Sequence, residues 1–141
     1  MIKFEVTKLH QIAQLGKESC ERLKDYTDDK NLNTLIDRQL KTYKDFMHKI
    51  EKEHSYVKDI GSFKSVWYSS MMKISLKMNH ERQDIINAMI KGNIMGLEST
   101  INFISCDSNS KDSKVLASKL LQVININFQE ILEECVYIKM A

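Results

Sequence analysis

Glu51 and His54 stand three residues apart in the stretch IEKEHSY, residues 50–56. A Glu-x-x-His step puts a carboxylate and an imidazole on the same side of a helix, and di-metal four-helix bundles use that step twice. The chemistry on offer is cation binding: carboxylates neutralise and bridge two metal ions, and imidazoles add nitrogen ligands. A complete centre of this kind also takes one Glu from each of two further helices. The pair therefore has a use only if the rest of the chain brings more carboxylates to the same level.

The elements that would carry them are helices. The 141-residue chain has no proline and four glycines, so little interrupts long helical runs. The alternating Val, Thr and aromatic pattern of strands is missing. Apolar residues at 3-4 spacing predict a helix over 7–26, with Leu9, Ile12, Ala13, Gly16, Cys20 and Leu23 on one stripe. A second over 32–55 carries Leu32, Leu35, Ile36, Leu40, Tyr43, Phe46, Met47 and Ile50. The polar cluster Thr27-Asp28-Asp29-Lys30-Asn31 separates them as a short turn and cap. A shorter helix over 63–78 follows Gly61-Ser62. Another over 80–104 is capped by Asn79 and striped by Ile85, Ile86, Met89, Ile90, Leu97, Ile101 and Ile104. A loop at 107–112 leads to the last, over 113–139, on Leu116, Leu120, Val123, Ile124, Ile131, Leu132, Cys135 and Ile138. The 63–78 segment matches the long helices in reach, so it can carry the chain from one end of the first hairpin to the start of the second. The expectation is one all-α domain over 1–141: a ferritin-like four-helix bundle of two antiparallel hairpins with a helical crossover between its second and third long helices, with a fifth helix packed on a simple bundle as the competing geometry.

Helical phase then tests the metal reading. On the first helix His10, Glu18 and Glu21 fall off the stripe; Glu5 is in phase but stands at the frayed start. On the second, Glu51 and His54 belong to the last turn, and His48 points out. The central inward position of the third long helix is Asn93, while Glu98 points away. On the last helix Glu130 and Glu133 are off the stripe and Glu134 is on its flank. Every histidine precedes residue 81, so a second Glu-x-x-His cannot form there. A solvated, charged helix end is the simpler account of Glu51 and His54. What faces inward instead is a set of amides, Gln39, Asn93 and Asn127, which predicts a buried hydrogen-bonding layer that fixes helix register.

Gly16-Lys17-Glu18-Ser19-Cys20 followed by Leu23, and GSFKSVWYSSMMKISLKMNHERQDIINAMIKGN from Gly61 to Asn93, resemble an uncharacterised bacterial family of the ferritin-like superfamily. There the first segment reads Asp-Gly-x-x-Gly-Phe-x-x-Ala, and a Gly-Ser opens a helix holding a His-Arg-Gly-Trp-like segment. The resemblance implies a four-helix bundle related to ferritins and rubrerythrins. Leu15 stands where that family tends to have Asp, Cys20 where it has Phe, and Asn93 where it has Glu. The fold carries over and the metal site does not.

Composition narrows the function classes. Twenty-one basic and nineteen acidic residues are interspersed, for a net charge of +2, which is not the concentrated basic face that nucleic acid requires. No apolar run approaches the length of a membrane span, and the start, MIKFEVTKLHQ, has no secretory h-region. Three widely spaced cysteines, Cys20, Cys106 and Cys135, fit no zinc pattern and suggest reduced thiols in a cytoplasm. The leading expectation is a non-catalytic bundle with no cofactor, acting as a homodimer or through a protein partner. Its contact surface would come from the apolar residues outside the stripes: Tyr68, Met72, Met95, Ile126, Val136 and Tyr137. The alternative is a di-iron oxidase or iron-storage bundle. A small-molecule pocket at Trp67, Met71 and Met89 is a further class, although such a stripe is more often core.

Overall fold

A computed structural model describes residues 3–57 and 81–140, with side chains as far as Cys135. Within them lie four helices and no strand: α1 (Lys3–Lys24), α2 (Lys30–Glu53), α3 (Arg82–Ser105) and α4 (Lys111–Met140). The expected helix over 63–78, the Asn79 cap, and Trp67, Tyr68, Met71 and Met72 lie outside the described residues. No helix among the described residues is long and apolar enough to cross a membrane.

The helix ends differ from the sequence expectation by a few residues, each for a local reason. α1 starts at Lys3 rather than residue 7, because Glu5 and Val6 are already buried in its first turn. It closes at Lys24, where the Asp25 and Tyr26 N–H groups fall back on the carbonyls of Arg22 and Leu23. Asp29 caps α2, its carboxylate accepting from Leu32 N at 3.0 Å, so the helix begins at Lys30. Ser110 caps α4, its hydroxyl accepting from Ser113 N at 3.2 Å, which starts that helix two residues before the expected 113. α3 begins at Arg82, not at residue 80, with Glu81 at its N-cap position.

Two long-range contacts fix the helix directions. Arg82, the first residue of α3, bonds Asp29 at the α1–α2 turn (2.6 Å) and Glu134 near the end of α4. At the opposite end Glu5 of α1 accepts from Ser110 N, at the start of α4. α1 and α4 therefore run one way, and α2 and α3 the other. α1 packs most heavily on α2, and α3 on α4; lighter contacts join α1 to α3 and α2 to α4, and α1 also reaches α4 across the centre. The four helices thus form a square whose neighbours are all antiparallel.

The core holds Leu9, Leu32, Ile36, Ile50, Ile85, Ile86, Leu120, Ile124 and Ile131, all nearly sealed from solvent. At about 25 cal/mol per Å², each such side chain contributes on the order of 1.5–3 kcal/mol of burial. The stripes of α1 and α2 lie inward as their spacing predicts. In α3 the second half is rotated. Ile101 is 48% exposed, and Leu97 and Ile104 are only half-buried. The inward residues there are Asn93, Gly96, Thr100 and Phe103. Small residues let α3 approach α4: a Cβ on Gly96 would stand 3.3 Å from Ile124 Cδ1. Thr100 hides its hydroxyl on Gly96 O at 2.8 Å. Leu132 of α4, also expected inward, is 38% exposed.

Candidate functional site

The bundle's waist is built from residues one or two turns apart on each helix. α1 brings Gly16, Ser19 and Cys20; α2 brings Gln39, Thr42 and Tyr43; α3 brings Met89 and Asn93; α4 brings Asn127. Gly16 is there because a side chain would not fit: a Cβ on it would lie 2.5 Å from Tyr43 Cζ. The absent side chain lets the Tyr43 ring approach α1 closely.

Gln39, Asn93 and Asn127 are all buried. Two of them are joined. Gln39 Nε2 donates to the Asn127 carbonyl at 3.0 Å, across the α2–α4 seam. Asn127 Nδ2 donates to Thr42 Oγ1 at 3.0 Å, and Thr42 Oγ1 donates to Gln39 O at 2.6 Å. This closed circuit ties the backbone of α4 to α2 in one register. Asn93 does not share it. Its Nδ2 turns back onto Met89 O of its own helix at 2.8 Å, and its Oδ1 accepts from no group among the described residues. An unmet buried acceptor costs about 1–3 kcal/mol.

The waist carries no charge at neutral pH. Burial pushes the Cys20 thiol up to about 12, with Glu21 and Asp37 adding to the rise. Burial likewise lifts the Tyr43 phenol above its ordinary range, helped by its neighbour Cys20. Carboxamides, a neutral thiol and a neutral phenol do not offset the desolvation of two divalent cations. No three of His, Cys, Asp and Glu converge on a metal-sized point among the described residues.

The Glu51/His54 pair separates in the structure. Glu51 turns to His10 of α1, with Oε2 3.0 Å from His10 Nε2. His54 is the C-cap of α2, and its ring lies beside that of Tyr56, whose hydroxyl is 3.4 Å from Nδ1. His10, expected off the stripe, is buried. The same correction applies to Glu5, whose carboxylate is sealed under the start of α4 on Ser110 N rather than frayed. A carboxylate at a helix N-terminus complements the unpaired N–H groups and dipole of that end. Neither pairing is visible to phase analysis, because the partners are 41 and 105 residues away. Gln14, Ser19 and Ser113 are also buried and carried no signal beyond lying next to apolar positions.

Of the residues expected at a contact surface, Ile126 is 57% exposed and Met95 is half-buried. The side chains of Val136 and Tyr137 lie outside the described residues, as do Tyr68 and Met72. Ile126 stands at the edge of a groove of about 430 Å³ between α2 and α4, floored by Phe46, Ile50, Leu116 and Val123 and rimmed by Asp45, Lys49 and Lys119. Of the thiols, Cys20 is buried, Cys135 half-buried and Cys106 exposed. Comparison of the chain with models of protein families, with curated proteins and with solved structures returned no match.

Proposed function

We propose that this chain is a non-catalytic helical bundle of the ferritin-like kind that works by pairing with a second copy of itself. The topology behind that reading is the square of antiparallel neighbours in which α2 and α3, though consecutive, run the same way. α2 ends at the opposite end of the bundle from the start of α3, which supports two hairpins joined by one long crossover. The uncharged, amide-lined waist supports a role without di-iron chemistry.

The observation that carries the association is the open α2–α4 seam. Its floor is apolar, its rim holds both signs of charge, and Ile126 projects from it. An antiparallel helix pair has approximate two-fold symmetry, so two copies can stack seam on seam in an isologous contact. Asp45 of one copy would then face Lys119 of the other. The near-neutral net charge of +2 leaves little repulsion to overcome.

Sedimentation equilibrium of the wild type and of Ile126→Glu tests the proposal. The wild type should sediment at the mass of a dimer at micromolar concentration. The variant should dissociate at least ten times more readily, about 1.4 kcal/mol. A wild-type monomer throughout that range would overturn the pairing. Retention of two irons per chain after anaerobic loading would overturn the non-catalytic reading.

A further inference from the structure

α1 and α2 run antiparallel, and charged residues along their seam recur one heptad apart. His10, Lys17 and Lys24 follow that step on α1; Glu51, Lys44 and Asp37 follow it on α2. The two outer rungs are complementary. His10 Nε2 meets Glu51 Oε2 at 3.0 Å, and Lys24 Nζ meets Asp37 Oδ1 at 2.6 Å. The same register sets Lys17 opposite Lys44, two like charges on the middle rung. Both line one groove of about 190 Å³, together with Met47, His48 and Glu51. Lys44 makes no ion pair among the described residues. Lys17, whose side chain is 19% exposed, has Glu21 of its own helix at 3.9 Å, too long for a hydrogen bond. Glu51 also lines the groove, with one carboxylate oxygen already on His10.

We propose that this groove binds a small oxyanion of the phosphate class between Lys17 and Lys44, with His48, one turn on from Lys44, as a further donor. Two ammonium groups facing each other across a seam repel. A dianion between them replaces that repulsion with two charge-assisted hydrogen bonds, and supplies the counter-charge that the outer rungs find in Glu51 and Asp37. Lysine meets phosphate as a point charge, so the site needs no planar fork. The volume limits the guest. It is below the roughly 300–1,000 Å³ of pockets for drug-sized ligands, which suits a free phosphate or the phosphoryl end of a small ester. The groove uses a different flank of α2 from the α2–α4 seam, so the site stands independently of the self-association proposed above.

Titration of the full chain with inorganic phosphate, followed by heteronuclear NMR at an ionic strength held constant with chloride, tests it. The resonances of Lys17, Lys44 and His48 should shift and saturate at millimolar phosphate. Lys44→Met keeps most of the stem and removes the charge, so it should weaken binding at least about ten-fold. Lys119→Met, on the α2–α4 seam, should leave binding unchanged. Methyl phosphate distinguishes the two sources: saturation by both probes assigns the groove to a phosphoryl group, and by inorganic phosphate alone to the free ion. Lys44→Glu supplies the counter-charge covalently. It should raise the urea midpoint in chloride and abolish the response to phosphate. The proposal is overturned if the wild type shows no saturable shift or Lys44→Met binds as well as the wild type. A Lys44→Glu midpoint no higher than that of the wild type would overturn it too.

Discussion

Gly16→Ala should destabilise the bundle although alanine is the better helix former. In an exposed helix interior the change is worth about 1 kcal/mol of stability, from reduced backbone freedom in the unfolded chain. Here the new Cβ would lie 2.5, 2.6 and 2.9 Å from Cζ, Cε1 and Cδ1 of Tyr43. Carbon atoms rest about 3.5–4.0 Å apart, so the methyl intrudes on three ring atoms by roughly 1 Å. Tyr43 is buried, so its ring has only the small space that it lines in the waist to move into. Overpacking of this order costs about 1–3 kcal/mol, leaving a net loss of up to about 2 kcal/mol once the helical gain is subtracted. Urea unfolding followed by circular dichroism measures it, with an unchanged slope confirming that the folded state is affected. The decisive comparison is a double-mutant cycle with Tyr43→Leu. With the ring gone, Gly16→Ala should reverse sign and stabilise by up to about 1 kcal/mol. A Gly16→Ala variant more stable than the wild type, or a cycle with coupling below about 0.5 kcal/mol, would refute the close approach of α1 to Tyr43.

The other perturbations follow the long-range contacts. Arg82→Ala removes bonds to Asp29 and Glu134 at a half-exposed position, so it should cost about 1 kcal/mol in urea unfolding, with the loss shrinking in high salt. The Leu32 N–H, and after it Arg82, hold the Asp29 carboxyl below the usual carboxylate range. Its stabilising effect is therefore complete above that range and is lost as pH falls through the lowered value. Arg82→Ala should make this acid limb shallower without abolishing it, as read from stability measured against pH. Glu51→Ala should cost about 1–2 kcal/mol through loss of the partner of buried His10. His54→Ala should stay within about 0.5 kcal/mol of wild type; equal effects in the two would restore the Glu51/His54 pair. In thiol titration, Cys106 should react first, because it is exposed and hydrogen bonds from Ser108 lower its thiol. Cys20 should react only on unfolding. Because the folded chain holds the Cys20 proton from about 9 up to about 12, stability should fall as pH rises across that window.

The sequence made the inward faces of α1 and α2 legible because their apolar residues recur at helical spacing without interruption. In α3 the apolar spacing misleads beyond Asn93 for a physical reason. A helix packed closely on its neighbour turns small residues inward, so Gly96 and Thr100 displace Ile101 to the surface. Hydropathy ranks those residues in the opposite order. Burial of His10 and Glu5 could not be read locally, since each is made tolerable by a partner that only the fold supplies. The amides could be placed inward from phase. Their pairing could not, because Gln39 uses the backbone of Asn127 rather than its side chain, and Asn93 bonds its own helix.

The most direct test of the waist is a crystal structure at high resolution from protein incubated with iron and zinc, with anomalous data collected at both edges. An amide-lined waist predicts Gln39 Nε2 on the Asn127 carbonyl, Asn127 Nδ2 on Thr42, and no anomalous peak within the bundle. Two peaks midway along the helices, held by acidic side chains, would contradict it.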